Sequence, residues 1–161
     1  MEIRRAKFSD QFRIEEIYQA ARKFMKENGN ASQWGDTYPE PHLIHEDIKQ
    51  RICYVCEEDN SLLGVFVFIQ GEDPTYQVIE NGRWVDLGPY GTIHRIAATS
   101  GKKGIGAFCI EWCFAMCGNI RIDTHKNNIP MQNLLDRLNF KKCGIIYTAD
   151  NTPRIAYQKV R

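Results

Sequence analysis

The sequence lacks a long apolar run. Its most strongly apolar stretch, Val65 to Ile69, is far too short to cross a bilayer. It also lacks a dominant charge: 21 basic residues stand against 20 acidic ones, and a net charge of +1 gives no long-range field for gathering nucleic acid or an anionic membrane. Any polyanion must therefore be held locally. Met1 is followed by Glu2 and a mixture of acids and bases, so no secretory leader is expected. No repeat, low-complexity tract or linker marks a second domain. At 161 residues, 43% hydrophobic and 25% charged, the chain has material for one core without metal or disulfide staples.

The six cysteines are placed wrongly for a disulfide framework. Cys109, Cys113 and Cys117 recur every four residues, which puts them on one face of a helix as small core residues. Cys53 and Cys56 lie three apart in a strand-like segment and point to opposite faces, a poor arrangement for a shared metal. No metal site is expected, and the cysteine usage fits a reducing, cytoplasmic setting.

Periodicity gives the order of elements. Glu2 to Ala6 reads as a strand; Ser9 and Asp10 then start a helix whose apolar face carries Ile14, Ile17, Ala21 and Phe24. Asn28, Gly29 and Asn30 stop it, Gln33 to Pro41 forms a structured loop, and a short helix runs from Pro41 to about Gln50. Ile52 to Glu57 and Leu62 to Gln70 make a hairpin around Glu58 to Ser61. Gly71 to Pro89 is a long ordered loop of the kind that borders binding sites. Strands follow at Gly91 to Ala98 and Ile120 to Thr124, helices up to Cys117 and from Pro130 to Leu138. A closing hairpin pairs Lys141 to Ala149 with Arg154 to Lys159.

The most informative stretch is Ile93 to Ala107, where a strand leads through Ser100-Gly101-Lys102-Lys103-Gly104 into a helix. Unpaired N–H groups at a helix N-terminus, together with its dipole, make a seat for an anion. Gly104 and Gly106 let the main chain approach phosphate oxygens, and Lys102 and Lys103 add charge at the rim. A plain turn entering a core helix has the same pattern. Two phosphate motifs do not fit. The Walker pattern needs Gly-Lys followed by Ser or Thr, and the dinucleotide fingerprint needs a different glycine spacing.

This strand, Lys-Lys-Gly-Ile-Gly-Ala loop and helix resemble the coenzyme A loop of the GNAT acetyltransferases, Arg/Gln-x-x-Gly-x-Gly/Ala. Gly104 and Gly106 match its small positions, while Gly101 stands where the family commonly has Arg or Gln. A second block, Ile120-Arg121-Ile122-Asp123-Thr124-His125-Lys126-Asn127-Asn128 with Met131, Leu134, Leu135 and Asn139-Phe140, is similar to the family's next strand and helix. The resemblance implies one domain over residues 1–161 with an α/β fold of the α+β kind. Its mixed central sheet would be splayed between the fourth and fifth strands, with helices on both faces. It implies acetyl-CoA as co-substrate, held by the main chain of Ile96, Ala97 and Ala98, by Lys102, Lys103, Gly104, Ile105, Gly106 and Ala107, and on its pantetheine arm by Asn128. A bulge in the first strand would free main-chain groups for that arm.

The implied reaction is transfer of acetyl to a primary amine of a small molecule or peptide by direct attack. His94, on the strand beside the expected thioester, is the candidate base, against a buried histidine fixed by a hydrogen bond. Arg95 would face the other way in a regular strand. The family's usual tyrosine acid is replaced here by Leu135; Tyr147 is a candidate replacement, against a core or edge tyrosine. His125 near Asp123, and Glu57 or Glu58 acting through water, are weaker candidates. Trp34, Tyr38 and Trp84 lie in loops that the family places around the acceptor, where they would form a wall, or else pack on the core. Gly101 and Leu135 favour the alternative of a non-catalytic coenzyme A sensor or interaction module. The acceptor amine and homodimer formation are left open, and no nucleic-acid or membrane partner is expected.

Overall fold

Alternating and helical periodicities are realised in the expected order in a computed structural model that describes Met1 to Arg161. Strand β1 is Glu2–Arg5, helix α1 Gln11–Glu27, α2 Pro41–Lys49, β2 Cys53–Glu58, β3 Ser61–Gln70, β4 Gly91–Ala98 and α3 Ile105–Cys117. Then follow β5 Asn119–Thr124, α4 Ile129–Arg137, β6 Lys141–Tyr147 and β7 Pro153–Val160. The seven strands form one mixed sheet in the order β1-β2-β3-β4-β5-β7-β6. β4 and β5 are parallel and register only at Gly91 with Ile120 and Thr92 with Arg121. The expected splay between the fourth and fifth strands is therefore visible as pairing that ends after two residues. No helix is long and apolar enough to cross a membrane.

Contacts divide the chain into two units, Met1–Phe68 with His94–Glu111, and Ile69–Ile93 with Trp112–Arg161. In the first, Ile14, Ile17 and Tyr18 of α1 pack with Ile44 and Ile48 of α2 on Cys53 and Val55 of β2. Each fully buried aliphatic contributes roughly 1.5–3 kcal/mol. The apolar face of α1 ends sooner than its period suggests: Tyr18 is buried, Ala21 is partly covered and Phe24 is half exposed. The buried residues of this 17-residue helix all lie in its first half, so its last turns have no surface to cover Phe24. The β2–β3 hairpin closes on Asp59 and Asn60, both left-handed, as a two-residue turn of type I′ requires. Cys56 faces the thiol of Cys109 in α3, whereas Cys53 belongs to the α1–α2 side, so the two do take opposite faces. All six cysteines are free thiols.

In the second unit β7 pairs with both β5 and β6. The segment 71–90 is fastened along its length. Gly71 N–H donates to Tyr90 O, Glu80 bridges Ile145, Arg83 N–H donates to Cys143 O, and the Gln158 side chain accepts from Val85 N–H. At Gly82 a Cβ would lie 1.9 Å from the Cys143 carbonyl oxygen, so only glycine lets the loop lie this close. Tyr76, Trp84 and Tyr90 cluster there, and the buried Arg121 guanidinium stands 4.2 and 4.0 Å from the Trp84 and Tyr90 rings.

Candidate functional site

The turn after β4 is built to present main chain. Ile105 is buried, against the face where Gly64 has no side chain; a Cβ at Gly64 would come within 2.8 Å of it. That contact anchors the start of α3. Gly104 precedes it with φ 85°, and its carbonyl accepts the Phe108 N–H at 3.0 Å, the first bond of the helix. The N–H groups of Ile105, Gly106 and Ala107 come before any intrahelical partner is available. No heavy atom would meet a Cβ at Gly101 or Gly104 within 4 Å, so the space beside this main chain is open. Unpaired N–H groups at a helix start, facing open space, are a seat for an anion. Lys103 is exposed, and Lys102 pairs with the exposed carboxylate of Glu58, which Lys102 holds below its usual range.

Just upstream, β4 is not regular. Arg95 has φ 50°, a left-handed setting that costs a residue with a Cβ about 1–2 kcal/mol. Its surroundings explain why it persists. The Arg95 carbonyl accepts the Tyr18 hydroxyl at 2.7 Å, and its guanidinium grips both Asp47 oxygens at 2.9 and 2.8 Å. It also donates to the Tyr38 hydroxyl at 3.2 Å. Burial keeps the Tyr18 phenol protonated and raises the Asp47 carboxyl; Arg95 and, more weakly, His94 oppose that rise. His94 is half-buried and close enough to feel Asp47. The alternation expected to send His94 and Arg95 to opposite faces does not carry through a left-handed residue. Trp34 packs edge-on against both Tyr18 and Tyr38, at 5.6 and 6.2 Å between ring centres. The structure thus brings Trp34, Tyr38, His94 and Arg95 into one neighbourhood.

Asp47 and Tyr18 carry no sequence motif and were not among the expected site residues. A signal for Asp47 existed: it lies on the stripe of Ile44 and Ile48, where a charge interrupts the buried face of α2.

Beyond Arg95, Ala98 and Ile96 are half-buried and Ala97 is buried. Thr99 N–H donates to Leu63 O of β3 at 2.8 Å, so by alternation the main-chain groups of Ala98 and Ile96 address the other edge of β4.

The remaining expected residues lie in the second unit. Asn128 is the N-cap of α4, its Oδ1 accepting the Met131 N–H at 3.2 Å. Trp84 is buried, its indole N–H donating to Tyr76 O at 2.9 Å, which makes it part of the core under the 71–90 segment. Tyr147 is exposed and donates to Glu80 at 3.0 Å; the carboxylate holds the phenol above its usual range and makes it a reluctant acid. Leu135 is wholly buried. His125 accepts the Asn127 N–H on Nδ1 at 3.0 Å and is kept below its usual range by burial, and Asp123 accepts from the Tyr76 hydroxyl at 2.6 Å. Glu57 is bound to Arg4. No group of three or more His, Cys, Asp or Glu side chains converges as metal ligands would.

No family model matches the sequence, and no curated protein matches it. Solved structures do. An acetyltransferase of the GNAT family from Streptococcus agalactiae 2603 is 30% identical over 99% of this chain and 95% of its own, with a TM-score of 0.90. A GNAT-family acetyltransferase from Listeria monocytogenes 4b F2365 is 18% identical, covering 99% and 94%, with a TM-score of 0.73. A phosphinothricin acetyltransferase of the same superfamily from Sinorhizobium meliloti, in complex with AcCoA, is 14% identical, covering 99% and 87%, with a TM-score of 0.66. At their identities the last two bear on the fold alone.

Proposed function

Because this chain belongs to the GNAT superfamily of acyltransferases, we propose that it transfers acetyl from acetyl-CoA to a primary amine of a small molecule or peptide. The observation that carries the reading is the open main-chain cradle from Gly101 to Ala107, entered through a strand distorted at Arg95. In this reading the N–H groups at the start of α3 hold the pyrophosphate, with Lys103 and Lys102 at the rim. Lys102 must exchange Glu58 for phosphate. The main chain of Ile96 and Ala98 receives the pantetheine arm, and Asn128 adds a side-chain contact to it.

Acetyl-CoA supplies an acyl group already activated as a thioester. The protein has two tasks: to take a proton from the acceptor's ammonium, so that the free amine can attack the thioester carbonyl, and to offer hydrogen-bond donors where negative charge develops. His94 is assigned the first, and a main-chain N–H of β4 the second. No acid is required for a thiolate leaving group, which agrees with Leu135 in the core and Tyr147 tied to Glu80. Trp34 and Tyr38 form the wall for the acceptor.

Thiol release from acetyl-CoA across a panel of primary amines and N-terminal peptides tests this. Acceptor-dependent release is expected. Tight coenzyme A binding with no release from any amine would assign the chain to a sensor instead.

A further inference from the structure

The left-handed residue in β4 is held by groups with no local reason to be there. Tyr18 comes from the middle of α1, and its hydroxyl, inside the core, spends its hydrogen on the Arg95 carbonyl at 2.7 Å. Asp47 comes from the buried face of α2 and takes both branches of the Arg95 guanidinium. A buried hydroxyl and a buried carboxylate, on two helices, thus close on one residue from its main-chain and side-chain ends. Replacing this arrangement with apolar residues would fill the same core more simply, which argues for a use beyond packing.

The use follows from peptide geometry. The Arg95–Ile96 peptide is trans, since the only cis bond in the chain is Tyr38–Pro39. In a trans peptide the carbonyl and the following N–H point in opposite directions. Fixing the Arg95 oxygen on Tyr18 therefore fixes the Ile96 N–H away from α1. Holding φ at 50° through Asp47 keeps the peptide from relaxing into the regular strand orientation.

We propose that Tyr18 and Asp47 are positioning residues that aim the Ile96 N–H at the carbonyl oxygen of the bound thioester, Tyr18 through the Arg95 carbonyl and Asp47 through the Arg95 guanidinium. The inference rests on the acyltransferase reading and deepens it by naming the donor and the two side chains that orient it. Neither side chain touches substrate. Their effect is directional: a donor that is already aimed needs no reorganisation as charge grows on the oxygen.

The test reads the donor directly. Acetyl-CoA labelled with carbon-13 at the thioester carbonyl is bound to the parent protein, to Tyr18→Phe and to Asp47→Asn, and the carbonyl stretch is recorded by isotope-edited infrared spectroscopy. Acetyl-CoA affinity is measured on the same samples by calorimetry. The expected result is a stretch lowered on binding to the parent and returned toward its free position in both variants. Affinity should change by no more than about threefold, and turnover with any working amine should fall at least about tenfold. Loss of packing alone would weaken binding and leave the frequency of whatever binds unmoved. Should Y18F fail to fold, D47N carries the same readout. A parent that binds acetyl-CoA with the stretch lowered equally in the folded variants overturns this inference alone. A parent that does not bind acetyl-CoA overturns the acyltransferase reading and this inference with it.

Discussion

Asn128 closes the start of α4 on itself, its Oδ1 accepting the Met131 amide N–H at 3.2 Å. The side chain given a role on the pantetheine arm therefore also caps a helix, and the two roles use different atoms. Removing a cap of this kind costs about 1 kcal/mol. Asn128→Ala should lower stability by about that amount in urea unfolding and weaken coenzyme A several-fold. Asn128→Asp keeps the capping oxygen and removes the amide donor. It should hold stability near the parent and still weaken coenzyme A, while adenosine 3′,5′-bisphosphate, which lacks the arm, binds all three alike. Equal affinity of N128D and parent for coenzyme A would place the arm elsewhere.

Gly104 and Gly101 should respond in opposite senses. Gly104 has φ 85° in open space, so Gly104→Val strains the turn by about 1–2 kcal/mol and puts a branched side chain beside the N–H groups proposed to hold phosphate. Calorimetry on folded G104V should show coenzyme A weakened at least about tenfold, beyond one lost hydrogen bond. Gly101 stands where the family commonly carries Arg or Gln, and a Cβ there meets nothing. Gly101→Arg should tighten coenzyme A. Tighter binding by G104V, or no response from either variant, would count against the cradle.

His94→Ala should lower turnover by about a hundredfold near neutral pH, the lower range for a lost general base, with coenzyme A affinity preserved. The pH–rate profile separates base from bystander. An acidic limb with the same midpoint in H94A assigns the titration to another group.

Asp10 supplies a stability prediction remote from the β4 turn. Its carboxyl is held below the usual range first by the hydrogen bonds from Arg4, at 2.8 and 3.1 Å, and also by the Lys7 N–H, against burial. A carboxylate depressed in the folded state contributes its stability above the unfolded value, about 3.9, and loses it as pH falls through the lower folded value. Urea midpoints should therefore decline on acidification below about pH 4 in the parent. Asp10→Asn should be less stable at neutral pH and show a shallower decline. Parallel declines would remove Asp10 from the account.

The elements were legible in the sequence because each is local: the helix stop at Asn28 to Asn30, the hairpin turn at Asp59 and Asn60, the glycine turn before α3. The open main-chain turn that leads into α3 was legible for the same reason. The conformation of Arg95 was not, because its cause is distant in the chain. Tyr18 lies 77 positions away and Asp47 lies 48 away, and no pattern within β4 calls for a left-handed arginine. Regular alternation is the correct reading of the strand alone, and the helices packed on it override it. Trp84 shows the complementary limit. An aromatic residue in a loop has the same local signature whether it lines a cleft or fills a core, and here its indole is buried and bonded to the Tyr76 carbonyl.

The thiols described with the core have a practical corollary. Five of the six are buried, only Cys117 is partly open, and burial pushes the Cys53 thiol up to about 12. A thiol must ionise and meet its reagent before it reacts. A chromogenic disulfide used to count coenzyme A release therefore sees little of the enzyme while the enzyme is folded. The same reagent registers the protein's own sulfhydryls once the chain opens, so a parallel trace without acceptor reports loss of native protein and its subtraction leaves turnover in the acceptor screen.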